Sequence, residues 1–183
     1  MASGLHVIDP TTGDYNRAEV HARFSGQNVV LVRWATRQQG LIVKAGNPLK
    51  IRGFADLKGL TIARRQAGAG AAILFDLGLK EAGLFENDLK HTDVCRTENE
   101  SIAAVAGGQA DAAPGLQAMA VQFGLGFVPT RTEQFDVLVC RKAWFDEPFQ
   151  TLLKFTQGTE FQMKAKQLAG YSVDQTWRVV WSA

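Results

Sequence analysis

The chain has 183 residues, 46% of them hydrophobic and 21% charged, with 18 Gly and 5 Pro. That is enough apolar material for one globular core or two small lobes, and it excludes collagen, low-complexity disorder and a disulfide miniprotein. A formal net charge of +2 is too small to suggest nucleic acid or an anionic membrane as a partner.

Met1-Ala2-Ser3-Gly4-Leu5-His6 lacks the basic start and apolar run of a secretion signal, and the expected location is cytoplasmic. Two cysteines, Cys95 and Cys140, are too few for a disulfide framework and read as free thiols. Asn28-Val29-Val30-Leu31-Val32-Arg33-Trp34 is a β-branched run that predicts a buried strand, and Gly40-Leu41-Ile42-Val43 predicts another. Arg37, Gln38 and Gln39 stand between the two runs, either facing a cleft at a crossover or exposed on a hairpin. Ala45-Gly46-Asn47-Pro48 is a turn cluster and marks a lobe boundary. Leu60-Thr61-Ile62-Ala63 predicts a short strand. Gly68-Ala69-Gly70 then opens a helix carrying Ile73, Leu74 and Leu77, which stops near Ala82-Gly83. Asp93-Val94-Cys95 reads as the next strand, and Thr97-Glu98-Asn99-Glu100 fits a capping box that starts a helix through Ile102 and Val105. Ala110-Asp111-Ala112-Ala113 predicts a strand and Pro114-Gly115 a turn, before a helical face of Leu116, Met119, Ala120 and Phe123. This alternation predicts βαβ units and a parallel sheet. Phe135 to Cys140 is a further strand. A helix with Pro148 in its first turn follows, then one through Phe161, Ala165 and Leu168, then an extended tail with Trp177, Val179 and Trp181.

Chemistry-bearing groups are few. Gly68-Ala69-Gly70 at a strand-to-helix turn exposes backbone N–H groups where the helix dipole favours an anion, and Arg64 and Arg65 would add charge; a tight turn with solvated arginines explains the same residues. Thr97 is both a cap and a candidate ligand hydroxyl, and Pro114-Gly115 lies on the same rim of strand carboxyl ends. Glu133 beside Arg131 reads as a surface ion pair. The histidines lie in separate segments, no nucleophile turn is recognisable, and His91 with Cys95 does not close a metal site.

Six stretches occur in family order: Arg37-Gln38-Gln39-Gly40-Leu41-Ile42-Val43, Gly46-Asn47-Pro48, Asp56-Leu57, Arg65-Gln66-Ala67-Gly68-Ala69-Gly70, Gly108-Gln109-Ala110-Asp111-Ala112, and Phe127-Val128-Pro129 with Glu133 and Asp136. Over residues 4–140 the chain resembles the periplasmic-binding-protein-like domain found fused to molybdopterin biosynthesis enzymes or to helix-turn-helix regulators. The resemblance implies a type II α/β fold of two lobes joined by two crossovers, with residues 1–46 and 130–183 as lobe 1 and 47–129 as lobe 2. It also implies that the family's first strand and helix are missing before Gly4, which leaves the first lobe incomplete.

The implied function is a non-catalytic sensor or carrier that closes on a ligand between its lobes, with no cofactor and no metal. Arg37, Gln39 and Glu133 would serve the site from the crossovers. Arg65, Gln66, Gly68, Ala69 and Gly70 would serve it from the glycine turn, and Thr97, Glu98 and Gly115 from the rest of the rim. The implied ligand is a small anion, molybdate or a molybdenum-cofactor-like pterin, with no nucleic acid or membrane partner; a homo-oligomer or a fused module is the implied protein partner. Two departures weigh against a small dianion: Ala71-Ala72 stand where the family has Thr-Arg, and Glu98 stands where it has His. An enzyme on the same fold, or a degenerate module acting through protein contacts, are the alternatives.

Overall fold

The structure is a computed structural model that describes residues 2–183. In chain order its elements are β1 (Ala2–Leu5), α1 (Arg17–Phe24), β2 (Val29–Val43), β3 (Thr61–Ile62), α2 (Gly70–Glu81), β4 (Lys90–His91) and α3 (Glu98–Ala106). There follow β5 (Ala112–Leu116), α4 (Gln117–Gln122), β6 (Gly126–Cys140), α5 (Arg141–Trp144), α6 (Glu147–Gln157), α7 (Thr159–Gln167), β7 (Tyr171–Ser172) and β8 (Val179–Ser182). They form two compact units, Met1–Arg37 with Glu133–Ala183, and Gln38–Thr132. The chain passes between the units twice, within β2 and within β6.

In the first unit, β1 pairs antiparallel with β6 from Ala2 opposite Val139 to Leu5 opposite Asp136, and β8 pairs with β2 at Val30 to Val32. Side-chain alternation along the strands sorts the core onto two faces. Leu31 and Leu138 meet Val20 of α1, while Val30, Val32 and Val139 meet Phe149 of α6 together with Trp144 and Trp177. α6 begins with Pro148 in its first turn, as expected. α1 has no counterpart in the sequence reading. Its mean hydropathy is low and Val20 is its only buried residue, so the pair Val20 and Phe24 at i, i+4 was the one available signal.

The second unit has β3 parallel to both β4 and β5, and β5 antiparallel to β2 from Gln39 opposite Leu116 to Val43 opposite Ala112. Leu41, Val43, Ile62 and Ala112 face Phe75 and Leu79 of α2. Alternate residues turn the other way: Ala63 and Ala113 meet Ala104 and Val105 of α3, and Ile42 meets Ile102 and Ala120. The α2 face that packs is therefore Leu74, Phe75, Gly78 and Leu79, while Ile73 is exposed.

Three local expectations are corrected. The two apolar runs flanking Arg37–Gln39 are one 15-residue strand, with Arg33 buried in its first half and Thr36, Arg37 and Gln38 half-buried at its middle, so the hairpin alternative falls. Pro114 and Gly115 lie inside β5 rather than in a turn. Its pairing with β3 is confined to Ala112, so beyond that point β5 is hydrogen-bonded on β2's side alone, and a residue whose N–H turns away from an antiparallel partner can be proline without losing a ladder bond. The strand after α2 is Lys90–His91, and Cys95 contributes only a parallel bridge to Arg65. Cys95 is buried, and both cysteines are free thiols. No helix among the described residues is long and apolar enough to cross a membrane.

Candidate functional site

Because β3, β4 and β5 are parallel, the segments leaving their carboxyl ends share one edge of the second unit. The β3 exit and the lead-in to α3 are tied together by backbone. Cys95 N–H donates to Arg64 C=O at 2.8 Å, and Gln66 N–H donates to Cys95 C=O at 3.2 Å. Arg65 Nη1 donates to that same carbonyl at 3.2 Å. Arg64 is paired with Glu86. The turn that follows needs its glycine: Gly68 has φ +82°, and a Cβ there would meet open space. Ala69 then takes the N-cap position of α2 in extended conformation, with no side-chain cap, so the first amides of this 12-residue helix are left without a side-chain acceptor.

At the start of α3, Thr97 Oγ1 accepts the Glu100 amide at 3.2 Å, as expected. Glu100 accepts from Arg96 N–H at 2.7 Å, and this bond, with smaller contributions from the Thr97 hydroxyl and backbone N–H, holds the Glu100 carboxyl below its ordinary value. Glu98 turns inward. Its Oε1 accepts the Leu116 amide at 3.4 Å, and a Cβ on Gly115 would lie 3.5 Å from the same oxygen and 2.6 Å from Ile42 Cδ1. Glycine at 115 is therefore required by the close approach of Ile42, while the carboxylate would be in ordinary contact with a Cβ there. Gln39 is buried and sits opposite Leu116 in the β2–β5 ladder, and its carbonyl accepts from Thr130 Oγ1 at 3.3 Å. Gln39, Glu98, Gly115 and the Leu116 amide are thus one group. The amide at the end of β5 already has a carboxylate on it.

The arginine-bearing loop also lines a cavity of about 80 Å³ with Asp76, Glu86, His91 and Pro114. Arg65 Nε and His91 Nδ1 are buried without a hydrogen-bond partner. Burial, and then the charge of Glu86, raise the Asp76 carboxyl above its ordinary value, against the opposing pull of Arg64 and His91. Among the described residues no three His, Cys, Asp or Glu side chains are placed to hold a metal.

Arg37 and Glu133 lie in the first unit and engage each other. Glu133 is fully buried, with His6 Nδ1 at 3.1 Å, and the Arg37 guanidinium sits 4.8 Å from the Phe135 ring centroid. Burial alone would raise Glu133, but the bond from His6 and the charge of Arg37 outweigh it and hold the carboxyl below its ordinary value. The expected surface pair of Glu133 with Arg131 does not form. Arg131 reaches Glu81 at 2.7 Å instead, while Glu133 is taken by Arg37 and His6. Sequence reasoning missed the Leu116 amide, which is backbone and leaves no residue signature, and His6, which stood alone in a turn-rich segment.

Residues 1–157 match the PBP superfamily domain. The chain belongs to the PBP superfamily, the periplasmic-binding-protein superfamily. It is 30% identical over 179 residues to the uncharacterized protein YvgK of Bacillus subtilis (strain 168), covering 96% of this chain and 58% of that protein's length. Among solved structures it is similar to an ancestral arginine-binding protein bound to arginine, with a TM-score of 0.57 and 18% identity, over 85% of this chain and 68% of that one. It is also similar to PEB3 bound to L-phospholactate, with a TM-score of 0.55 and 18% identity, over 77% and 67% of the two chains. The fold is the type II periplasmic-binding-protein-like α/β fold that the sequence resemblance implied.

Proposed function

We propose that this PBP superfamily chain is a non-catalytic sensor or carrier domain. Its ligand is a small polar molecule bound at the strand carboxyl ends of the second unit and offering a hydrogen-bond donor, neutral or cationic, to Glu98. The carrying observation is the Glu98 carboxylate seated on the Leu116 amide. A tetrahedral dianion such as molybdate needs several converging donors to offset its lost hydration, and here one amide is taken and a negative charge stands beside it. Ala71 and Ala72 supply neither hydroxyl nor guanidinium. The uncapped start of α2 and Arg65 remain for a second, acceptor-bearing part of the ligand. The fold neighbours support a small-molecule role, one being bound to arginine and the other to L-phospholactate.

A thermal-shift series with molybdate, tungstate, sulfate, a pterin phosphate and the L-amino acids tests this reading. Ligands at a hundred times their Kd stabilise by about 2.7 kcal/mol, so genuine binders stand out. Molybdate at micromolar concentration is expected to give no shift to the wild type and a measurable one to Glu98→Gln. Arg65→Ala is expected to weaken binding of the active compound more than Arg131→Ala. A large stabilisation of the wild type by micromolar molybdate refutes the proposal.

A further inference from the structure

A further concentration of guanidinium groups lies outside that rim, in the first unit. A cavity of about 310 Å³ is lined by Arg17, Arg33 and Arg178 with Gln134 and Gln175, and among the described residues Asp14 is the only carboxylate in its wall. Arg33 is the built part. Its side chain is 9% exposed; Nε is paired with the fully buried Asp136, and Nη2 donates to Gln134 Oε1 at 2.6 Å. Asp136 is itself held by Asn16 Nδ2 at 2.8 Å, so the guanidinium plane is fixed from behind. Nη1 has no protein partner among the described residues.

Arg178 is locked beside it by backbone. Arg33 N–H donates to Arg178 C=O at 2.8 Å, and Trp177 N–H donates to Arg33 C=O at 2.7 Å. This requires Trp177 at φ +70°, a conformation costly for a bulky residue, and the surrounding packing imposes it. Trp177 packs edge-on against Trp34 and Phe149, and its indole donates to Thr156 Oγ1 at 2.6 Å. Arg178 Nη1 leans on Gln175 Oε1 at 3.2 Å, and Arg17 has no ion-pair partner among the described residues. Three guanidiniums thus face two carboxylates, Asp14 and Asp136, which leaves one positive charge uncompensated around a polar, preorganised space.

We infer that this cavity is a binding site for a small oxyanion, a phosphate or carboxylate group taken in a forked grip by Arg33 and Arg178 with Arg17 closing over it. Parallel N–H donors on a rigid plane match two oxygens of such a group, and partial burial keeps salt from screening the contact fully.

Calorimetric titration of the whole chain with inorganic phosphate at low ionic strength is the test, with acetate as the carboxylate arm. Arg17→Ala and Arg178→Ala are each expected to lower phosphate affinity about tenfold or more, as loss of a charge-assisted contact does. Arg178→Lys should restore part of it, because the charge returns without the fork. Arg23→Ala removes an exposed cation that is paired with Glu19 outside the cavity, and should change nothing. Arg17 and Arg178 are exposed, so their variants should melt as the wild type does. Should either melt lower, a ¹⁵N-labelled wild type titrated with phosphate gives a direct reading: the Arg33, Gln134 and Arg178 amides must shift. The inference is overturned if the wild type takes up neither anion, if Arg23→Ala loses as much affinity as Arg178→Ala, if those amides stay still, or if Arg65→Ala alone abolishes uptake.

Discussion

Arg37→Ala should destabilise the first unit more than any exposed substitution, because it strips the partner from a carboxylate that cannot reach water. Glu133 is fully buried and the Arg37 side chain is 15% exposed, so the pair is close to a buried one. Breaking a buried ion pair from one side typically costs about 3–5 kcal/mol. His6 remains near Glu133 to take up part of the charge, and Arg37's residual exposure lets water in, so the low end applies, about 3 kcal/mol. In a chain of this size that lowers the melting temperature by about 6–12 °C. The assay has a convenient selectivity: all four tryptophans, Trp34, Trp144, Trp177 and Trp181, lie in the first unit, so tryptophan fluorescence follows that unit. The double variant Arg37→Met, Glu133→Leu removes both charges and should recover most of the loss, as apolar replacements of buried pairs do. A cost for Arg37→Ala below about 1 kcal/mol, the range of exposed pairs, would refute the reasoning.

Acid should act on the same carboxylate. The folded value of Glu133 is depressed, so its stabilising contribution is complete above the ordinary carboxylate range and is lost as pH falls through the lowered value. Wild-type stability should therefore drop below about pH 4, and Glu133→Gln, already less stable at neutral pH, should show a shallower drop in urea titrations across that window. Gly40→Ala should cost about 3 kcal/mol, because its Cβ would enter the Phe127 ring at 2.7 Å and press on the Val128 carbonyl. Gly53→Ala, at φ 180° with nothing within 4 Å, should be within about 0.5 kcal/mol of wild type in the same chemical denaturation.

The parallel half of the fold was legible because its signals are local. Gly68 requires left-handed backbone, Thr97 caps α3, and glycines close α2 and α3 where the sequence put them. What escaped depends on neighbours far away in the chain. Arg37, Gln38 and Gln39 look like an interruption until a strand from residues 126–140 lies beside them: Arg37 then meets Glu133, Gln38 donates to Thr132 Oγ1 at 2.9 Å, and the Gln39 carbonyl accepts from Thr130. Pro114 looked like a turn because nothing in the sequence says that β3 stops pairing at Ala112. The rim residues of the glycine turn and of the start of α3 lie on their expected segments and Gly115 lies inside β5 instead of in a turn, but the chemistry of Glu98 could only be read once its oxygen was found on the Leu116 amide.

The interleaving of the two units within one chain also sets an order of assembly. Residues 38–132 are contiguous, so the second unit has all its strands as soon as it leaves the ribosome. The first unit is built from both ends of the chain: Val30 waits for Ser182, and β1 waits for Leu138 and Val139. Until then Val30, Leu31 and Val32 form a bare apolar edge. Nascent chains arrested after residue 132 should accordingly protect the second unit from protease while leaving the first 37 residues open to digestion, to chaperones and to one another. The slowest step in reaching the native state is then closure by the carboxyl-terminal strand, the contact of longest sequence separation.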